Sequence, residues 1–278
     1  MTTTPLVSVC VPTYNGAQYI EEAIHSILDQ SYPNLEIIIS DDNSSDDTLD
    51  IVRTVLKTTD IPNFIYKHTP KGIGANWNNC VKKTQGTYIK FLFQDDVLLP
   101  HCIASMVALL ETDKTIGMVY SRRNFLFDTD KEQYATWLKK YSVLHKSWKT
   151  LNVQTGVLEG KTYLKDDKLL DPPGNKIGEP SAVILRKEVF KKVGWFNTEL
   201  KQKLDFEYWY RLMPFYNIGF IDEPLVKFRL HQNQASMTNQ SKDIKDAILL
   251  PQIFIRKLFF HLSMKSKKKL LKTLFNSL

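Results

Sequence analysis

Three stretches of this chain are apolar on consecutive residues, and each breaks straight into a polar turn: Leu6 to Pro12 (LVSVCVP), Leu35 to Ser40 (LEIIIS) and Tyr88 to Phe93 (YIKFLF). A strand with one wet face alternates, whereas a run that is apolar throughout belongs to a strand covered on both faces. Between the first two runs, Ala17 to Gln30 places Ile20, Ala23, Ile24, Ile27 and Leu28 at helical spacing and stops at Tyr32-Pro33-Asn34. Strand, helix, strand with short links is a βαβ unit, hence a parallel pair with a right-handed crossover. A helix from Thr48, a short strand at Phe64 to Tyr66 and a helix from Gly74 to Lys83 lead on to the Tyr88 run. The expected architecture is a doubly wound, mostly parallel α/β sheet with helices on both faces.

At 278 residues the chain can form one large α/β domain or two small ones. Its 43% hydrophobic and 24% charged residues are those of a globular protein. Met1 to Pro5 shows no basic segment followed by an apolar one, and no 18 apolar residues run together, so neither a signal peptide nor a spanning helix is expected. Cys10, Cys80 and Cys102 are scattered among apolar neighbours without CxxC spacing, which predicts buried free thiols and a cytoplasmic setting. The net charge of +7 is concentrated in Arg256, Lys257, Lys265, Lys267, Lys268, Lys269 and Lys272. No helix-turn-helix, zinc-finger or RNP-type signature accompanies it, so a local anionic surface is a better partner than nucleic acid. Residues 253–278 interleave these charges with Phe254, Leu258, Leu262, Leu271, Leu274, Phe275 and Leu278. That pattern predicts an amphipathic helical tail over 241–278, lying on an anionic membrane or docked on the rest of the chain.

In open α/β sheets, ligands bind at the carboxyl ends of the strands. Three such ends converge here: Pro12-Thr13-Tyr14, Asp41-Asp42-Asn43-Ser44 and Gln94-Asp95-Asp96, the last followed by Pro100 and a helix over His101 to Glu111. Adjacent carboxylates such as Asp95 and Asp96 repel unless a cation, solvent or a donor offsets the charge, although Asp is also common in turns and caps. The turn Thr69 to Gly74 (TPKGIG) lacks the third glycine of a dinucleotide fingerprint and any Walker lysine-serine pair.

The segments VSVCVPTYNG, IIISDDNSSDDT, GIGANWNN and GTYIKFLFQDD, in that order within residues 1–120, resemble the family 2 glycosyltransferases and their Rossmann-like GT-A fold. The resemblance implies that Pro12, Thr13 and Tyr14 pack on the base and ribose of a nucleotide-sugar, and that Asp41 accepts a hydrogen bond from the base. Asn78, Gln94, Asp95 and Arg229 join the nucleotide site, and Asp96 and His231 ligate Mg²⁺ or Mn²⁺. Asp205, in LDFEYWYRL, matches the catalytic base. Residues 1–120 would form the nucleotide-sugar half and 121–240 the acceptor half of one domain, 1–240.

Three positions depart from the family pattern: Gln94 where an acid is usual, Trp77 where many relatives carry a basic residue, and Leu204 in place of the acid before Asp205. The last removes a like charge and should leave the Asp205 pKa lower than in an acid pair. Asp42 to Asp47 read mainly as helix capping, and Glu207 with Arg211 as an i,i+4 ion pair. Tyr134, Trp137, Tyr141 and Trp148 can stack on sugars, but core packing is the commoner use of such spacing. Leu164 to Gly178, rich in Asp, Pro, Gly and Lys, reads as a loop over the active-site edge.

The activity implied is inverting, metal-dependent transfer from a UDP-sugar to a lipid-linked saccharide of a bacterial surface polysaccharide, O-antigen or capsule, at the inner face of the membrane. A non-catalytic nucleotide-sugar-binding module is the alternative, favoured by the three departures. A nucleotidyltransferase would want a glycine-rich basic first loop, which Pro12 to Gly16 does not provide.

Overall fold

The computed structural model describes residues 4–69, 71–127, 131–234 and 245–275. Strand β1 (Val7–Thr13) is parallel to β2 (Leu35–Asp41) on one side and to β4 (Tyr88–Phe91) on the other, and β3 (Asn63–Lys67) extends the sheet beyond β2. Val7, Val9 and Val11 join Ile37 and Ile39 on one face, under Ile24 of α1 (Ile20–Leu28) and Val52 of α2 (Thr48–Leu56). Cys10 and Ile38 point the other way, against Trp77 and Cys80 of α3 (Ile73–Lys83). Two-sided burial is therefore the reason these strands read as unbroken apolar runs.

The four parallel strands are only half of a nine-stranded sheet, ordered β3-β2-β1-β4-β8-β6-β9-β5 with β7 paired to β9. After β5 (Val97–Leu98) and α4 (Cys102–Glu111) comes the long β6 (Ile116–Phe127), then α5 (Ala135–Tyr141), β7 (Gly156–Glu159) and α6 (Gly160–Leu164). β8 (Val183–Arg186) inserts antiparallel between β4 and β6; α7 (Val189–Val193) and α8 (Leu204–Leu212) lead to β9 (Asn217–Leu230), which lies parallel to β6. The expected doubly wound α/β sheet is present, with an antiparallel insertion that carries the second half.

The Tyr88 run leaves the ladder at Phe91, two residues earlier than its composition predicts. Lys90 within it is fully buried, and its ammonium donates to the carbonyls of Ser181 and Val183. Burial pulls its pKa down, and those carbonyls clamp the start of β8 onto β4. Cys10, Cys80 and Cys102 are buried and unbridged.

α9 (Asp246–Leu258) and α10 (Met264–Phe275) follow. Leu250, Phe254, Leu258, Leu262 and Leu270 are buried in the same core cluster as Tyr208 and Trp209 of α8. Among the described residues no helix is long and apolar enough to cross a membrane. The boundary expected at 240/241, together with Pro70, Ala235, Ser236 and Leu278, lies outside the described residues.

Candidate active site

Register sets the first part of the site. Thr13 stands opposite Asp41, so the turns after β1 and β2 leave the sheet side by side. Asp41 is buried, accepting from Thr13 Oγ1 at 3.0 Å, Ser44 N at 2.9 Å and Ser44 Oγ at 2.5 Å. Asn15 and Asn43 take left-handed φ values of 49° and 69°, which asparagine tolerates better than most residues. Asn15 Oδ1 accepts from Ser45 N at 2.9 Å and its own N–H donates to Ser44 Oγ, locking the two turns together. Asp46, one of the acids read as capping, accepts from Thr48 N at 3.2 Å and Ala17 N at 3.0 Å. Pro12 is buried in β1, whereas Tyr14 is 56% exposed and presents a flat ring at the sheet edge.

Gln94 explains its own departure from the family pattern. Its amide accepts from Tyr14 N at 2.9 Å and donates to Tyr14 O at 3.0 Å, a two-point strap that an acid cannot make. Gly16 leaves room for it, since a Cβ there would lie 2.4 Å from the Gln94 side chain and would displace the strap.

Helix α3 brings one correction. Asn78 does not face the nucleotide edge: its Nδ2 donates to Phe196 O at 2.9 Å and its Oδ1 accepts from Phe196 N at 3.0 Å, both buried. Two residues along a helix turn through about 200°, so Asn76 rather than Asn78 is the asparagine of α3 that reaches the end of β1. Asn76 donates to Thr13 O at 3.2 Å and meets His68 Nε2 at 3.0 Å. Trp77 is buried against Phe91, Phe93 and Phe196. Leu204 packs into the notch at Gly74, where a Cβ would come within 3.2 Å of it. All three departures are thus accommodated by packing or strapping.

The two strand-end carboxylates divide. Asp95 is partly open, its side chain 22% exposed, and its Oδ2 lies 3.0 Å from His231 Nε2. Asp96 is fully buried; one oxygen accepts from Arg229 N at 3.1 Å and the other has no partner. Burial, with Asp95 adding to it, pushes the Asp96 carboxyl well up. Arg229 leaves the end of β9 to donate to Asp95 O at 3.0 Å, pairs with Glu22 and covers the Tyr19 ring at 4.6 Å. Of the two residues expected to ligate a cation, His231 faces Asp95, which was expected at the nucleotide, whereas Asp96 is enclosed by protein and turned to Arg229 N. Among the described residues no three His, Cys, Asp or Glu side chains cluster as a self-sufficient metal site.

Beside this corner opens a cavity of about 930 Å³. Asp205, Glu179 and Arg123 line it, as do Trp137, Tyr141 and Phe228. Arg123 and Glu179 pair at 2.7 Å. Trp137 and Tyr141 line the cavity half-buried, with Trp137 stacked on Phe228, whereas Tyr134 and Trp148 are buried. The far wall comes from the 164–178 loop and from Phe254, Lys269, Leu270 and Thr273 of α9 and α10.

Asp205 opens the helix α8, partly in contact with the cavity but enclosed by protein on its other sides. Burial pushes its carboxyl up to about 7, opposed by donors that favour the ionised form: Phe206 N at 2.7 Å and Asn175 Nδ2 at 2.8 Å. Burial is the main cause of the rise and Glu179 adds a like charge, so the Asp205 carboxyl is raised with leucine at 204. Glu179 also acts on Asp96, which ties the two carboxylate sites into one field.

Asn175 escaped the sequence reading. It holds the loop through Ile177 N and Gly178 N while orienting Asp205, and the turn signal Gly-Asn in PPGNKIG was its trace. Lys176, buried beside it, donates to Asp171 O and Pro173 O and staples the same loop; burial lowers its pKa to about 8. Glu207 and Arg211 form the expected pair at 2.6 Å.

An uncharacterised protein of Mycobacterium tuberculosis is 33% identical over 210 residues, covering 75% of this chain and 62% of that protein. An uncharacterised glycosyltransferase of Rickettsia prowazekii is 30% identical over 247 residues, covering 87% and 70%. A Campylobacter jejuni protein named as a GalNAc(5)-diNAcBac-PP-undecaprenol beta-1,3-glucosyltransferase is 40% identical over 104 residues, 37% of this chain and 34% of that one. This chain thus spans 62% of the mycobacterial relative's length. Among solved structures, Staphylococcus aureus TarS 1-349 with UDP-GlcNAc superposes with TM-score 0.67 at 19% identity, over 97% of this chain and 71% of that one. Mannosyltransferase PcManGT of Pyrobaculum calidifontis, with GDP-Man and Mn²⁺, gives 0.61 at 22% identity, over 92% and 64%. The model of glycosyl transferase family 2 matches residues 8–194, which contain both strand-end turns and the Asp95-Asp96 pair. The chain belongs to the family 2 glycosyltransferases and has their GT-A fold.

Proposed function

We propose that the chain is an inverting transferase that moves a hexosyl or N-acetylhexosaminyl group from a nucleoside-diphosphate donor to a saccharide hydroxyl. The observation that carries this reading is Asp205, a carboxyl pushed up to about 7 at the wall of a large cavity. A base with a pKa near the working pH is both ionised and able to hold a proton. Asp205 takes the proton from the acceptor hydroxyl as that oxygen attacks the anomeric carbon opposite the diphosphate. The anomeric C–O bond breaks, and its electron pair leaves with the phosphate.

The nucleotide lies along the edge made by Pro12, Thr13, Tyr14 and Asp41, with the Tyr14 ring against the base. Gln94 and Asn76 act through the backbone of that turn. A uridine nucleotide is the proposed donor, by likeness to TarS. Asp95 and His231, one hard carboxylate beside one imidazole, would hold Mg²⁺ or Mn²⁺, with the unpartnered oxygen of Asp96 behind them. Such an ion supplies charge neutralisation to the departing diphosphate. Arg229 holds Asp95 through its backbone carbonyl and keeps a planar cation at the same corner.

The acceptor is proposed to be a lipid-linked saccharide of a bacterial surface polysaccharide, by likeness to the Campylobacter protein, and the site of action the inner face of the membrane. Trp137, Tyr141 and Phe228 offer its sugar rings apolar faces. A screen of UDP- and GDP-sugars for nucleotide release, with and without Mn²⁺, tests the reading. Release from one donor that stops on chelation supports it, and nucleotide binding without release from any donor returns the chain to the non-catalytic module.

A further inference from the structure

We propose that the outer face of α10 and the turn before it form a docking surface for an anionic lipid bilayer. α10 carries two stripes. The inner one, Ser266 and Leu270, is buried on the domain, and Lys269 ties that side to Asp171 at 2.6 Å. The outer one carries Met264, Leu271 and Phe275. Steps of seven and eleven residues return a helix to within about 20° of its starting direction, so the three form one ridge. They are 66%, 39% and 73% exposed, and Phe260 in the preceding turn is 90% exposed.

Charge identifies what covers this ridge. Lys268 stands on it, Lys267 and Lys272 flank it on either side, and among the described residues no carboxylate pairs with any of the three. No Asp or Glu occurs in residues 247–278. A second copy of the chain would set lysine against lysine on this face. An interfacial helix has this pattern, with aromatic and aliphatic side chains entering the headgroup layer while lysines reach anionic phosphates around them.

The placement also concerns the acceptor. The inner side of α10 lines the cavity through Lys269, Leu270 and Thr273, so a bilayer on the outer side lies one helix diameter, about 10 Å, from the groove. The inference rests on the proposed lipid-linked acceptor for this purpose only, because vesicle binding is read without substrate.

The test is sedimentation of the whole chain with vesicles of phosphatidylcholine alone or mixed with phosphatidylglycerol, at low and high salt. The wild-type protein should pellet with the anionic vesicles at low salt and stay in solution with the neutral ones. Lys267→Gln/Lys268→Gln/Lys272→Gln should weaken partition on the order of a hundredfold, and Phe260→Ser/Phe275→Ser at least about tenfold. Both variants should keep the wild-type melting temperature and the wild-type rate on soluble substrates, so a failure of the transferase reading registers separately. Wild-type protein left in the supernatant, or a phenylalanine variant that binds as well as wild type, overturns the proposal. A lipid-free dimer abolished by Phe275→Ser also overturns it and assigns the face to a second copy.

Discussion

Replacing Asn175 by alanine removes the side-chain donor to Asp205 without touching the carboxyl itself. A hydrogen bond to a charged group is worth about 1.5–3 kcal/mol, and one pKa unit is 1.36 kcal/mol. Because Asp205 has some contact with solvent, we take the lower end, which is about one unit. Burial pushes the wild-type carboxyl up to about 7, and a base acts when ionised, so on the proposed role of Asp205 kcat/KM should fall as pH drops through 7. In the variant that limb should move to about 8, with the high-pH plateau lowered less than tenfold. The assay is nucleotide release against pH with the donor found by the screen. A wild-type limb near 4, or one that Asn175→Ala leaves in place, refutes the reasoning. The linkage has a definite sign: an acid whose folded pKa lies above its unfolded one leaves stability untouched below about 4 and lowers it as pH rises toward 7. Chemical denaturation of the wild-type protein at pH 4.5 and 8.5 should show Asp205→Leu gaining stability relative to wild type only at the higher pH.

Gly16→Ala should push the Gln94 strap off the Tyr14 backbone and raise the donor Kd several-fold with kcat little changed, as read by isothermal titration. Asp246→Ala frees the N–H groups of Lys201, Gln202 and Lys203, which its carboxylate gathers just before Asp205; we expect a loss of about 3 kcal/mol in denaturant unfolding and a drop in kcat at constant donor affinity. His231→Ala should raise the Mn²⁺ concentration needed for half-maximal turnover, seen by metal titration of the rate, whereas an unchanged requirement removes His231 from the cation corner.

The parallel half of the sheet was legible because burial on both faces leaves an unbroken apolar run, and because each run ended in a turn that the register then brought together. The strand pairing of the second half was not. β6 and β9 pair over more than ten residues with register shifts, and β8 slips between β4 and β6 from far along the chain; neither leaves a local period. Within α3, spacing alone could not say which asparagine faced the edge: the structure turns Asn76 to Thr13 and commits Asn78 to Phe196. Asp95 and Asp96 are neighbours of opposite fate: Asp95 lies in the turn after β4, beside His231, whereas Asp96 is enclosed just before β5 and accepts from Arg229 N. The docking of α9 and α10 depended on Phe254 finding Phe206 and Tyr210, contacts whose partners lie some forty residues away.

Asp205→Asn gives the most direct test, measured twice on the same protein: kcat with the donor from the screen, and donor Kd by titration. Removal of a general base lowers kcat about 10²-fold or more, and Asp205 lines the cavity proposed for the acceptor, so donor Kd should stay within about twofold. A donor Kd that weakens in step with the rate, or a rate that survives the substitution, would contradict Asp205 as the base.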